Sequence, residues 1–172
     1  MNILTRSNVY LPMAAIILTA TLAAPAAAQR QVPFKGAFEG HDVVSAGPSG
    51  TILLATTATG TGSHLGHFSF TQELTLAGPT SAAGSGQWVA ANGDIIYTTQ
   101  VSSAELGDMP DQLEVTEIHT ITGGTGRFAD AEGSFTVTRI HLMVPVPGLP
   151  STFVTYGSFH GTITSPGGAR RD

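Results

Sequence analysis

Cysteine does not occur anywhere in the 172 residues. No disulfide framework and no thiol nucleophile is available, so stability has to come from a hydrophobic core and from backbone pairing. Lysine is almost as scarce: Lys35 is the only one among seven basic residues, set against twelve acidic ones. A chain of net charge −5 with so few cations has no basic face to displace counterions from phosphate, which argues against nucleic acid as a partner. No Gly-x-Ser-x-Gly elbow is present and no nucleophile stands beside a base, so covalent catalysis is not expected. Six histidines occur, but none forms a His-x-His pair, and His64 and His67, three apart, would point to opposite faces of a regular strand. Neither a metal nor an organic cofactor is expected.

What is present begins with a leader. Arg6 gives a weakly positive start, Val9 to Leu22 is an apolar run interrupted only by Pro12, Thr19 and Thr21, and Ala26-Ala27-Ala28 offers the small residues that signal peptidase reads. The uncharged run is at the short end of the roughly 20 residues needed to span a bilayer. Cleavage after Ala28 is the expectation, with no stable membrane anchor afterwards and no cysteine to carry a lipid. The exported portion, Gln29 to Asp172, is one domain, periplasmic or extracellular, and loss of Arg6 makes it one unit more acidic.

That domain shows almost no helical period. Thr, Val, Ile and Phe recur in short runs between clusters of Gly, Pro, Asn and Ser. The pattern predicts strands near Gly36 to Val44, Thr51 to Thr59, His64 to Leu76, Gln87 to Ala91, Asp94 to Ser102, Leu113 to Thr122, Gly133 to Val144 and Thr152 to Thr164. Eight antiparallel strands close into a small all-β barrel whose interior is filled or ligand-sized. Asn92-Gly93 predicts a two-residue type I′ hairpin between the fourth and fifth strands. Ala104 to Gln112 and the proline-rich Pro145 to Pro150 read as loops at a barrel rim.

The segment Ile121-Thr122-Gly123-Gly124-Thr125-Gly126-Arg127-Phe128-Ala129-Asp130-Ala131-Glu132-Gly133 is a glycine-rich corner between two strands. Gly124, Gly126 and Ala129 satisfy a loose dinucleotide spacing, but a strand follows where a phosphate-capping helix would be needed. The glycines allow a sharp turn that tucks Phe128 beneath the barrel end, with Arg127 tied to a nearby carbonyl or carboxylate. This corner resembles the Gly-Gly-Thr-Gly-[Arg/Lys]-Phe-x-x-Ala-x-Gly corner of the dirigent and allene-oxide-cyclase-like barrels. Gly60 to Phe68 and Ala91 to Asp94 resemble parts of exported bacterial members of that superfamily, most without assigned activity. The resemblance implies a closed antiparallel barrel holding an apolar ligand, in a family where some members are cyclases or steer coupling reactions. It also implies association as dimers or trimers, here through outward Thr-rich, Ile-containing faces. None of the family's catalytic positions is carried over.

Two-residue alternation indicates which side chains face inward. In the third strand the alternation is blurred, and reading Phe68, Phe70 and Leu74 together invokes a one-residue slip at Ser69 and a bend at Gly66. In the sixth strand Leu113, Val115, Glu117, His119 and Ile121 share a face; in the seventh, Phe135, Val137, Arg139, His141 and Met143 do. If these faces are lumenal, Glu117, His119, Arg139 and His141 converge as a candidate catalytic group, a carboxylate with a proton-carrying imidazole beside it. The alternative is a cross-strand Glu117–Arg139 ion pair on the outer surface with both histidines solvated. Among the aromatics, Trp88, Tyr97, Phe135 and Tyr156 are candidates for a ligand wall, with a tyrosine as polar handle, or else plain core. Two functions follow. One is a binding protein holding a small apolar molecule in the lumen; the other is a cofactor-free isomerase, cyclase or coupling guide in which Glu117 or His119 moves a proton.

Overall fold

A computed structural model of the protein describes residues 30–109, 111–144, 152–164 and 166–167. The expected leader and the Pro145 to Pro150 loop lie outside these residues. Eight strands follow one another: β1 (Gln31–Ala46), β2 (Ile52–Gly62), β3 (Gly66–Leu76), β4 (Ser81–Val89), β5 (Ile95–Leu106), β6 (Gln112–Gly124), β7 (Gly133–Val144) and β8 (Thr152–Thr164). Each pairs antiparallel with the next, and β8 pairs with β1, so the sheet is a closed barrel. The all-β eight-stranded barrel expected from the sequence is the fold.

Closure leaves no unpaired sheet edge and gives every strand an inner and an outer row. The inner rows divide into three zones along the barrel axis. At the end where β1 begins and β8 finishes, Phe34, Phe38, Phe68, Phe70, Trp88, Phe135 and Phe159 form a solid plug. Trp88 is its hub, stacked on Phe70 at 4.1 Å between centroids and meeting Phe159, Phe68 and Phe135 at 5.1, 5.2 and 5.3 Å. Such contacts add roughly 0.5–1.5 kcal/mol each beyond the area they bury. The middle zone is polar. Toward the opposite end the inner rows turn aliphatic, with Leu54, Leu74 and Ala82 forming a second, smaller cluster flanked by Val44 and Leu76.

The glycine-rich corner caps the plugged end as anticipated. A 3₁₀ turn at Gly126–Phe128 drives Phe128 into full burial. Arg127 ties three segments together. Its Nη2 donates to the His64 carbonyl at 2.7 Å, its backbone N–H donates to Asp94 Oδ2 at 3.2 Å, and its guanidinium lies 4.9 Å above the Phe128 ring. The Asn92 side chain and the Arg127 N–H, both donating into Asp94, hold that carboxyl below its ordinary value. Gly133, where the corner feeds β7, has φ +143°, and a Cβ there would overlap the Thr162 carbonyl oxygen of β8. Gly133→Ala is therefore expected to cost about 1–3 kcal/mol, read as a lowered thermal midpoint. An unchanged midpoint would mean that the start of β7 relaxes freely.

Three local expectations are corrected. The hairpin between β4 and β5 joins the expected segments, but only Gly93 has positive φ. Gly93 N–H bonds the Ala90 carbonyl and Ala90 N–H bonds the Asp94 carbonyl, so the loop is wider than a two-residue I′ turn. β3 carries no slip: Phe68, Phe70, Gln72 and Leu74 alternate inward without interruption, and Gly66, at φ +67°, is the first residue of the strand, where the turn from β2 enters it. β4 starts at Ser81, six residues before the expected Gln87, and β5 runs on to Leu106, which shortens the rim loop.

Candidate functional site

Polar side chains from six strands meet in the middle of the barrel. Alternation aims Asp42 of β1, Thr56 of β2, Gln72 of β3, Gln100 of β5, Glu117 and His119 of β6, and Arg139 of β7 inward, and all seven are buried. Arg139 is the centre. Its Nη2 donates to Glu117 Oε1 at 2.6 Å, and its Nη1 donates to Asp42 Oδ1 at 3.1 Å and to Thr56 Oγ1 at 3.3 Å. The Thr56 hydroxyl donates to Asp42 Oδ1. Gln72 Nε2 reaches Glu117 Oε1 and Thr56 Oγ1, both at 3.1 Å, and Gln100 Nε2 donates to Gln72 Oε1 at 3.0 Å. Because a carboxylate only accepts, the 3.0 Å contact between His119 Nε2 and Glu117 Oε2 puts the ring hydrogen on Nε2. Nδ1 lies 3.3 Å from the Thr98 hydroxyl. The imidazole also stacks on Phe135 at 4.8 Å, joining the network to the plug.

The four candidates from β6 and β7 are thus brought together inside the barrel, and the outer-surface ion pair is not what forms. Burial alone would raise Glu117. The Arg139 guanidinium, the His119 hydrogen bond and charge, and the Gln72 hydrogen bond outweigh it and hold the carboxyl at about 2. A carboxylate this acidic, with no exposed surface and both oxygens engaged, is poorly disposed to take a proton from a substrate. His141 differs. Burial first, and the neighbouring Arg139 second, push it down to about 4 against the opposing pull of Asp42 and Glu117, so the ring is neutral at neutral pH. It approaches Asp42 Oδ2 to 3.4 Å without hydrogen-bond geometry.

His141 and Arg139 lie at the inner end of a cavity of about 120 Å³ at the aliphatic end of the barrel. Val44, Leu54, Leu74, Leu76, Ala82 and Phe153 supply its walls. The barrel is therefore plugged at one end and hollow at the other, with the charged network as the floor between them.

No protein-family model and no curated protein sequence matches the chain. Among solved structures, a pterocarpan synthase dirigent protein is similar to it, at 15% identity and a TM-score of 0.47, over 83% of this chain and 90% of that one. The barrel rests on its own strand pairing and not on that likeness.

The four aromatic candidates do not line the cavity. Tyr97 and Tyr156 are 38% and 50% exposed on the outer rows, opposite in parity to their inward neighbours Ile96, Thr98 and Thr155, so neither is a lumenal handle. Trp88 and Phe135 face inward but are packed into the plug. Met143, expected on the lumenal face of β7, is exposed at the rim. Among the described residues no group of three or more His, Cys, Asp or Glu side chains is placed to hold a metal. Asp42, Thr56, Gln72, Thr98, Gln100 and Thr155 were not anticipated, because a polar residue in a strand ordinarily reads as outward. Parity carries the missing signal: Asp42 is in step with Phe34 and Phe38, Gln72 with Phe68 and Phe70, and Gln100 with Ile96.

Proposed function

We propose that this is an exported binding protein that takes one small, largely apolar molecule into the mouth of its barrel. The observation that carries the reading is the lopsided interior: aromatic side chains fill one end, while the other keeps a cavity walled largely by aliphatic side chains over a polar floor. An apolar cavity of roughly 150 Å³ holds a benzene-sized molecule. About 120 Å³ suits a single ring or a six-carbon chain, and a longer ligand would project beyond the rim. The preassembled floor favours binding, because its ionic groups are ordered before a ligand arrives.

Ala82, whose side chain faces the cavity from β4, gives the test. Native mass spectrometry with six-carbon ring probes should show one molecule per chain in the unaltered protein. Ala82→Trp, which fills the space, should lose at least about tenfold in affinity while keeping its β-sheet circular dichroism. If the unaltered protein takes up no probe, the reading fails. A cofactor-free isomerase is the competing function, and it would have to work through His141, since Glu117 and His119 are sealed within the network. Recovery of a bound compound in altered form would favour it.

A further inference from the structure

We infer that the mouth cavity selects a neutral ligand whose polar end both donates and accepts hydrogen bonds, such as an alcohol, and rejects carboxylates. This inference rests on the cavity being the binding site. Among the described residues, five buried side-chain atoms have no hydrogen-bond partner: Asp42 Oδ2, Arg139 Nε, His141 Nε2, Thr155 Oγ1 and Trp88 Nε1, with Asp42 Oδ2 and His141 Nε2 3.4 Å apart. Trp88 lies in the plug. The other four belong to one stretch of wall, where β7, β8 and β1 lie side by side. His141 is paired in register with Thr155, Arg139 lies one inward position deeper on β7, and Asp42 is opposite Phe153. All four residues are at least nine-tenths buried, and two of them, Arg139 and His141, line the cavity. Leaving such atoms unpaired is unfavourable, and Arg139 and His141 at the inner end of the cavity, with Asp42 and Thr155 next to them in the wall, mark where a ligand's polar end would sit.

The chemistry of the four atoms defines that polar end. Asp42 Oδ2 only accepts, Arg139 Nε only donates, and the neutral His141 ring and the Thr155 hydroxyl can each complement either partner. A hydroxyl, which donates once and accepts twice, matches this set. A carboxylate does not. The floor already holds the Asp42 and Glu117 carboxylates against one guanidinium whose Nη1 and Nη2 are both committed to them. A third anion would meet two carboxylates already held by one guanidinium, with only the Arg139 Nε–H and the second Nη2–H left to receive it. An ammonium would lose its water among the aliphatic walls.

A matched series of ring probes at pH 7 tests this: cyclohexanol, methylcyclohexane, cyclohexanecarboxylate and cyclohexylammonium. Each is titrated into ¹⁵N-labelled protein and followed at the amides of Leu54, Leu74, Ala82 and Phe153 and at the His141 ring nitrogens. The expected result is cyclohexanol binding about tenfold or more tighter than the other three. In Asp42→Asn, and independently in His141→Phe, that advantage should shrink while methylcyclohexane affinity holds. Cyclohexanol no tighter than methylcyclohexane, or matched by the carboxylate or the ammonium, overturns the inferred selectivity and leaves the cavity as a binding site. Failure of all four probes to move the mouth amides overturns the binding function itself.

Discussion

Arg139→Met is expected to destabilise the barrel by about 3–5 kcal/mol, a large share of the stability of a domain this size. The side chain is almost fully buried and is the only guanidinium among the described interior groups, so its loss strands Asp42 and Glu117 as two carboxylates inside the barrel. The volume of the side chain is largely preserved by methionine, which makes the penalty mostly electrostatic. Adding Glu117→Gln should therefore recover part of it by removing one of the two uncompensated charges while keeping an acceptor for Gln72. Urea unfolding at pH 7 of the single and double variants reads both effects. Arg139→Met of unaltered stability would mean that the two carboxylates do not depend on the guanidinium.

Acid should weaken the native state in two overlapping stages. His141 ordinarily titrates near 6.5 and is lowered to about 4 in the fold. Between those values the unfolded chain binds a proton that the native protein refuses, so stability falls as pH drops through that window. Glu117 is lowered from 4.5 to about 2, and its stabilisation, complete above 4.5, is lost as pH falls toward 2. Each stage is worth on the order of 3 kcal/mol. Thermal midpoints measured across pH should hold steady above about 7, decline below about 6.5 and steepen below about 4.5. In His141→Phe the first decline should disappear and the second remain. A midpoint unchanged from pH 7 to pH 4 in the unaltered protein would contradict the burial of a neutral His141.

Legibility from sequence followed the information that individual residues carry. β7 and β8 match their expected limits, because Phe, Val, Thr and Ile recur along both. β4 was truncated because Ala83, Gly84, Ser85 and Gly86 display no strand preference. Their smallness has a structural origin, since a Cβ at Gly84 would collide with the Glu73 carbonyl of β3. The face of β6 and β7 was legible, and with it the meeting of Glu117, His119, Arg139 and His141. β5 was misread for the opposite reason. Thr98 and Gln100 face inward while Tyr97 and Val101 face out, so hydropathy there runs against the direction of burial. Only knowing that the lumen is polar at that level resolves it, and that knowledge lies in strands distant in sequence.

Seven of the eight strand pairings join neighbours along the chain; the eighth, from Gln31↔Thr164 to Val43↔Thr152, joins the two most distant strands. Loop-closure entropy is concentrated in that seam, and no hairpin formed earlier can share it. Asp42 on β1 meets Arg139 on β7 only when β8 has docked between them. The charged floor thus works as a latch, because an unclosed sheet leaves a carboxylate and a guanidinium without each other. A curled sheet that misses its register by one residue would turn Asp42 outward and leave the latch unfastened.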